Sequence, residues 1–214
     1  MIFSIKKLPQ EILSDMMLKN IYSSECPIHH SNLALLNLSY YGFDGKEYHD
    51  GKMIVLKDYA TNILNIFKIL FDNKFPIEKI KLINDYNGSD EDSMSDNNTS
   101  AFNCRLIAGS RQLSIHSYGL AIDVNPKQNP YITFNDGDLK LFPKSGKEFL
   151  NRSNIRPGMV ESLLLNENKT VIEIFKENGF TIWGGTWNDP IDWHHFQLPR
   201  TDCEQIAREL FSNK

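Results

Sequence analysis

Two stretches hold residue types and spacings that could do chemistry. Ser114-Ile115-His116-Ser117-Tyr118-Gly119-Leu120-Ala121-Ile122-Asp123 sets an imidazole and a carboxylate seven residues apart, and the run from Trp183 to Phe196 places Asp192 three residues before His195. A zinc ion holds histidine nitrogen and carboxylate oxygen at about 2.0–2.2 Å, whereas seven extended residues reach about 23 Å. If His116 and Asp123 share a metal, the chain must turn back between them, and Gly119 is the residue best suited to the reversal. Leu120, Ala121, Ile122 and Val124 surround the carboxylate with apolar side chains, so Asp123 is expected on or beside a buried strand. A lone carboxylate is costly there, and a bound cation removes the cost.

A catalytic zinc takes three protein ligands and leaves a fourth position to water, and making a nucleophile of that water calls for a nearby carboxylate base. The second stretch can supply both missing parts, His195 as ligand and Asp192 as base. A purely structural zinc would require a fourth protein ligand.

Ser114-x-His116-x-x-Gly119-x-Ala121-x-Asp123 followed by Asp192-x-x-His195-Phe196 resembles the zinc D-alanyl-D-alanine carboxypeptidase and L-alanyl-D-glutamate peptidase family, whose members cut bacterial peptidoglycan stem peptides. Phe75-Pro76-Ile77, Asn97 to Arg105, and Asn125-Pro126 through Asn129-Pro130-Tyr131 are similar to the segments flanking the site in that family; residues 1 to about 30 are least covered. The resemblance implies that the metal ligands are His116, Asp123 and His195. His195 is preferred to His194 because it stands three after the acid and directly before an aromatic, and the same offset prefers Asp192 to Asp189 as base. It also implies a substrate-binding arginine upstream of His116. Arg105 is favoured over Arg111, since a guanidinium fork binds a stem-peptide carboxylate through two parallel hydrogen bonds. Ser114 matches a serine near the substrate, with a backbone-capping hydroxyl as the alternative. An aspartate base leans toward L-alanyl-D-glutamate endopeptidase activity, and Arg105 as a clamp leans toward D-alanyl-D-alanine carboxypeptidase activity. A non-catalytic, zinc-containing peptidoglycan-binding module would be expected to have lost the base.

The elements that must position these groups read as an α+β domain: a small antiparallel sheet carrying the zinc cleft, with helices packed on its other side. Apolar spacing predicts helices over Gln10 to Tyr22, Lys57 to Asn73, Thr170 to Asn178 and Asp202 to Phe211. Strands are predicted at Met53 to Leu56, Ile80 to Ile83, Tyr131 to Phe134 and Phe180 to Trp183, with a turn over Asn135 to Asp138. The polar stretch from Asp85 to Ser100 has the composition of a disordered or mobile loop, and it could also form a wall of the substrate cleft. Calcium binding by Asp90, Asp92 and Asp96 lacks the glycine and terminal glutamate of an EF-hand. His29 and His30 read as surface histidines, and His49 as a loop residue.

A length of 214 residues with 41% hydrophobic content supports one sizeable core, here a peptidase domain over 31–214 behind an N-terminal helical extension over 1–30. A monomer is expected. A net charge of −4 and a pI near 5.9 offer no basic field for nucleic acid. No run approaches the roughly 20 apolar residues of a membrane span, and no signal-peptide apolar region follows Met1. A peptidoglycan substrate implies the cell wall or periplasm, reached through a removed signal, an unconventional route or phage-style release. Cys26, Cys104 and Cys203 are odd in number and widely spaced, so unpaired thiols are expected, with a bridge involving Cys26 or Cys203 as the alternative.

Overall fold

The computed structural model describes residues 1–135 and 137–212. Strand β1 (Phe3–Lys7) runs antiparallel to β2 (Leu33–Tyr41), which runs antiparallel to β3 (Glu47–Leu56); α1 (Gln10–Leu18) lies in the first connection. Because β2 is the middle strand, Leu33, Ala34, Leu35 and Leu36 are all buried, so its sequence is a continuous apolar run rather than an alternation. Helix α2 (Ala60–Asp72) packs on β2 through Ile63, Ile66, Phe67 and Leu70, the three-and-four spacing that brings one helix face to the core. The first 30 residues, expected to be helical, thus also contribute an edge strand to this sheet. Helix α1 stops at Leu18 rather than Tyr22, since Asn20 takes a left-handed conformation and turns Ile21 and Tyr22 into the core.

The polar stretch is ordered, contrary to the expectation from its composition. It contains α3 (Asp90–Ser95) and β5 (Asn98–Thr99), which pairs in parallel with β4 (Lys79–Ile80), and Ser93, Asn97, Asn98 and Thr99 are buried. Its amides do the work of backbone. Asn98 donates to the Lys81 carbonyl and Ser93 Oγ and accepts from Lys81 N–H, while Asn97 donates to Gln128 Oε1 and accepts from Lys127 N–H. The aspartates are dispersed rather than gathered for a cation: Asp96 takes Lys79 and the Tyr86 hydroxyl, and Asp90 takes Asn103 and Arg105.

The second half of the chain forms β6 (Ala121–Asp123), β7 (Tyr131–Asn135), β8 (Asp138–Phe142), β9 (Leu163–Leu164), β10 (Lys169–Thr170), α4 (Val171–Glu177), β11 (Ile182–Trp183), β12 (Ile191–Asp192), β13 (His195–Gln197) and α5 (Arg200–Ser212). Two small antiparallel sheets, in the orders β11-β13-β6 and β12-β7-β8, bring the two motif stretches together. The architecture is therefore α+β, as the sequence predicts. Thr170 starts α4 with a capping box closed by Glu173, whereas α5 begins at Arg200, ahead of the expected start at Asp202. The turn expected over Asn135 to Asp138 includes Asp136, which lies outside the described residues.

Cys26 and Cys104 form a disulfide with Cα atoms 6.0 Å apart, which corrects the expectation of unpaired thiols. Their 78-residue separation gives no local pattern by which spacing could have revealed the pair. Cys203 is free and buried, and burial pushes its thiol up to about 12.

Candidate metal centre

Strand register brings the distant groups together. In the β13–β6 ladder His195 stands directly opposite Asp123, and directly opposed residues share a sheet face. His195 Nδ1 lies 2.9 Å from Asp123 Oδ1. His116 arrives from a short 3-10 turn over Ile115–Tyr118, which Ser114 caps by accepting from His116 N–H at 3.3 Å. Gly119 ends that turn at a φ of 67°, and a Cβ there would lie 2.5 Å from the Leu56 nitrogen. The predicted reversal is thus made by the one residue type that fits both the dihedral and the space. His116 Nε2 comes to 3.1 Å from Asp123 Oδ2 and 3.2 Å from His195 Nδ1.

The outer nitrogens of both rings face carbonyl oxygens. His116 Nδ1 faces the Ala101 carbonyl at 2.5 Å and His195 Nε2 faces Gln197 Oε1 at 2.8 Å. Neutral imidazoles that donate to those oxygens turn bare lone pairs, His116 Nε2 and His195 Nδ1, toward the Asp123 carboxylate. Three acceptors crowded together repel unless a cation lies among them. Donors held at about 2.0–2.2 Å around a tetrahedral ion stand about 3.4 Å apart, close to the spacing found, so the donor set fits a metal. His116, Asp123 and His195 together could hold one. When no cation is present, burial opposes charge on His195, but Asp123 outweighs it and raises the imidazole pKa. Burial likewise opposes charge on Asp123, and His116 and His194 hold its carboxyl well below the usual range.

Asp192 and His194 lie on the same side. Asp192 stands opposite Tyr131 in the β12–β7 pair, and the chain at Gly184 lies so close that a Cβ there would sit 2.5 Å from the Asp192 carbonyl. His194 is buried, its Nδ1 2.8 Å from the Asn129 carbonyl and its Nε2 3.0 Å from Asp192 Oδ1 and 3.9 Å from Asp123 Oδ2. It bridges the candidate base and the candidate ligand from behind. Burial lowers the His194 pKa, but Asp192 and Asp123 overcome this and raise it to about 9 when no cation competes for Asp123. Asp189 faces away, accepting from Thr133 Oγ1 at 2.8 Å and from Phe134 N–H.

Arg105 has its guanidinium on Asp90, its Nη1 donating to the Leu106 carbonyl. Its backbone is pinned by Ser117, whose hydroxyl accepts from Arg105 N–H and donates to its carbonyl, each at 3.0 Å. Arg111 is exposed. Ser114 is buried and serves as the cap of the His116 turn. Of the tryptophans, Trp187 lies against the His195 ring at 5.4 Å and Trp183 donates to the Trp193 carbonyl.

Sequence reasoning overlooked Arg152. It donates to the Gln128 and Phe149 carbonyls and Asn129 Oδ1, pairs with Glu161 and stacks over Trp193 at 5.0 Å. The same Asn129 holds His194, so Arg152 fixes the backdrop of the site. Only its position after the family-like Asn129-Pro130-Tyr131 segment could have hinted at this.

No curated protein and no solved structure matches the chain. Residues 108–198 match the family model described as D-alanyl-D-alanine carboxypeptidase. That span contains His116, Asp123, Asp192, His194 and His195 together with the strands that assemble them, so the likeness to this peptidase family covers the segment that builds the candidate metal centre.

Proposed function

We propose that the protein is a zinc-dependent peptidase that hydrolyses a peptide bond of the peptidoglycan stem, with His116, Asp123 and His195 as ligands and Asp192 as general base and acid. The observation that carries this reading is the convergence of three ligand atoms, from His116, Asp123 and His195, beside the buried carboxylate of Asp192. Zinc, when bound, polarises a carbonyl and makes water acidic enough to be deprotonated near neutral pH. Asp192 takes the proton from the attacking water and returns it to the leaving amine nitrogen. His194 holds Asp192 in place, and Arg105 receives a carboxylate of the substrate. The aspartate base favours cleavage between L-alanine and D-glutamate. D-alanyl-D-alanine carboxypeptidase activity is the second reading, favoured by the description of the matching family and by Arg105 as a carboxylate clamp. A non-catalytic binding module is disfavoured because Asp192 is present.

Incubating metal-replete protein with purified muropeptides and reading the products by mass spectrometry tests activity and bond together. Loss of a terminal alanine marks the carboxypeptidase, and release of L-alanine-terminated fragments marks the endopeptidase. Intact muropeptides after prolonged incubation with zinc-loaded protein would leave only the binding module.

A further inference from the structure

Asp90 has no part in the metal chemistry, yet it lies in ion-pair contact with the arginine that would receive substrate. Arg105 Nε is fully shielded from solvent and faces Asp90 Oδ2, and the pair is about one-third exposed, at 34% and 32% of the two side chains. Asp90 is itself held: Oδ1 accepts from Asn103 Nδ2 at 2.8 Å, and the same amide donates to the Gly88 carbonyl. Its place at the start of α3 is set by Ser89, whose hydroxyl caps the helix by accepting from Asp92 N–H. The guanidinium is therefore held at two of its nitrogens, by Asp90 at Nε and by the Leu106 carbonyl at Nη1. Among the described residues Nη2 has no partner, and it is the nitrogen left to meet an incoming carboxylate. Arg105 also lies within electrostatic reach of Tyr131, the residue opposite Asp192 in the sheet.

We propose that Asp90 is a positioning residue for substrate recognition: it aims Arg105 so that the outer edge of the guanidinium receives a free carboxylate of the stem peptide. This rests on the reading of Arg105 as a substrate-binding residue. A long side chain left to itself samples many rotamers, and a fork is selective only when its plane is fixed. Asp90 supplies that fixing, and it gives the polar 85–100 stretch a functional purpose that its composition hides.

The test compares wild-type protein with Asp90→Asn, Asp90→Glu and Arg105→Ala on a synthetic stem peptide that the enzyme cleaves, supplied with its carboxylates free and with them amidated. Asp90→Asn keeps the size and the Asn103 contact but loses the charge. It is expected to raise KM for the free-carboxylate peptide by about 10- to 100-fold, the scale of a positioning error near 1 Å. Zinc content and kcat should stay near wild type, the KM of the amidated peptide should not change, and Asp90→Glu should restore part of the loss. An unchanged KM in Asp90→Asn beside a raised KM in Arg105→Ala would overturn the role of Asp90 and leave Arg105 standing. Unchanged kinetics in both variants would remove Arg105 from the site, and the proposal with it. An Asp90→Asn protein that loses zinc, or slows equally on both peptides, would make Asp90 scaffolding and also overturn the proposal.

Discussion

At the scale of single residues, ligand and base should separate cleanly. Asp192→Asn keeps the shape but cannot accept a proton, so turnover should fall by about 10²–10⁴-fold while zinc content, measured by elemental analysis, stays near wild type. His116→Ala, Asp123→Ala and His195→Ala should each lose zinc. Zinc retained in His195→Ala but lost in His194→Ala would reassign the ligand. A second expectation concerns protons in the metal-free protein. The pKa of His194 is raised from 6.5 to about 9 by Asp192 and Asp123 against the opposing effect of burial, and that of His195 is raised in the same direction. Groups that bind protons more tightly when folded stabilise the fold fully below their unfolded pKa and cease to as pH rises through the folded one. Melting temperature of chelator-treated protein should therefore fall between pH 6.5 and about 9. With zinc present the trend should weaken or reverse, because metal and protons compete for the same nitrogens. A metal-free protein whose melting temperature climbs over that interval would contradict the assigned hydrogen bonds. The chemical types were readable from the chain because imidazoles and carboxylates at these spacings have few uses. Their partners were not: nothing local ties Asp90 to Arg105, or His194 to the Asn129 carbonyl.

At the scale of elements, the site depends on where short pieces of backbone touch. Gly119→Ala should destabilise the protein by at least about 1–3 kcal/mol through the left-handed dihedral alone, and the new methyl would also press on the Leu56 nitrogen at 2.5 Å. Urea denaturation should show a lowered midpoint, together with weakened zinc retention because His116 is displaced. Wild-type stability in that variant would mean the turn has another available conformation. The helices with strong apolar spacing, such as α2, were legible because periodicity reports which face is buried. The 85–100 stretch was misread for a complementary reason. Composition treats Asn97 and Asn98 as solvent-loving, whereas here their amides fill hydrogen-bonding positions that a longer sheet would have supplied. Strand β1 escaped notice because five residues with two lysines carry little signal until β2 lies alongside.

At the scale of the whole molecule, the Cys26–Cys104 bridge ties the segment after α1 to the residue just before Arg105. It closes a separation of 78 residues, and constraining an unfolded chain to that extent stabilises by about 2–4 kcal/mol. Cys26→Ser/Cys104→Ser should unfold at correspondingly lower urea concentration; an unchanged midpoint would show that the surrounding packing holds the segment without the bond. The pairing of β13 with β6 has a consequence in time. Asp123 and its partner His195 are 72 positions apart, and chains grow at about 5–20 residues per second, so for roughly 4–14 s a nascent chain displays one histidine and one carboxylate of the trio and lacks the third. Two ligands make a weak, open claim on a metal. If the trio holds zinc as proposed, its capture should be a closing event in biogenesis, and in refolding it should lag collapse and coincide with the final rise in fixed tertiary structure; uptake in the first, collapsed phase would mean the trio assembles without its strands.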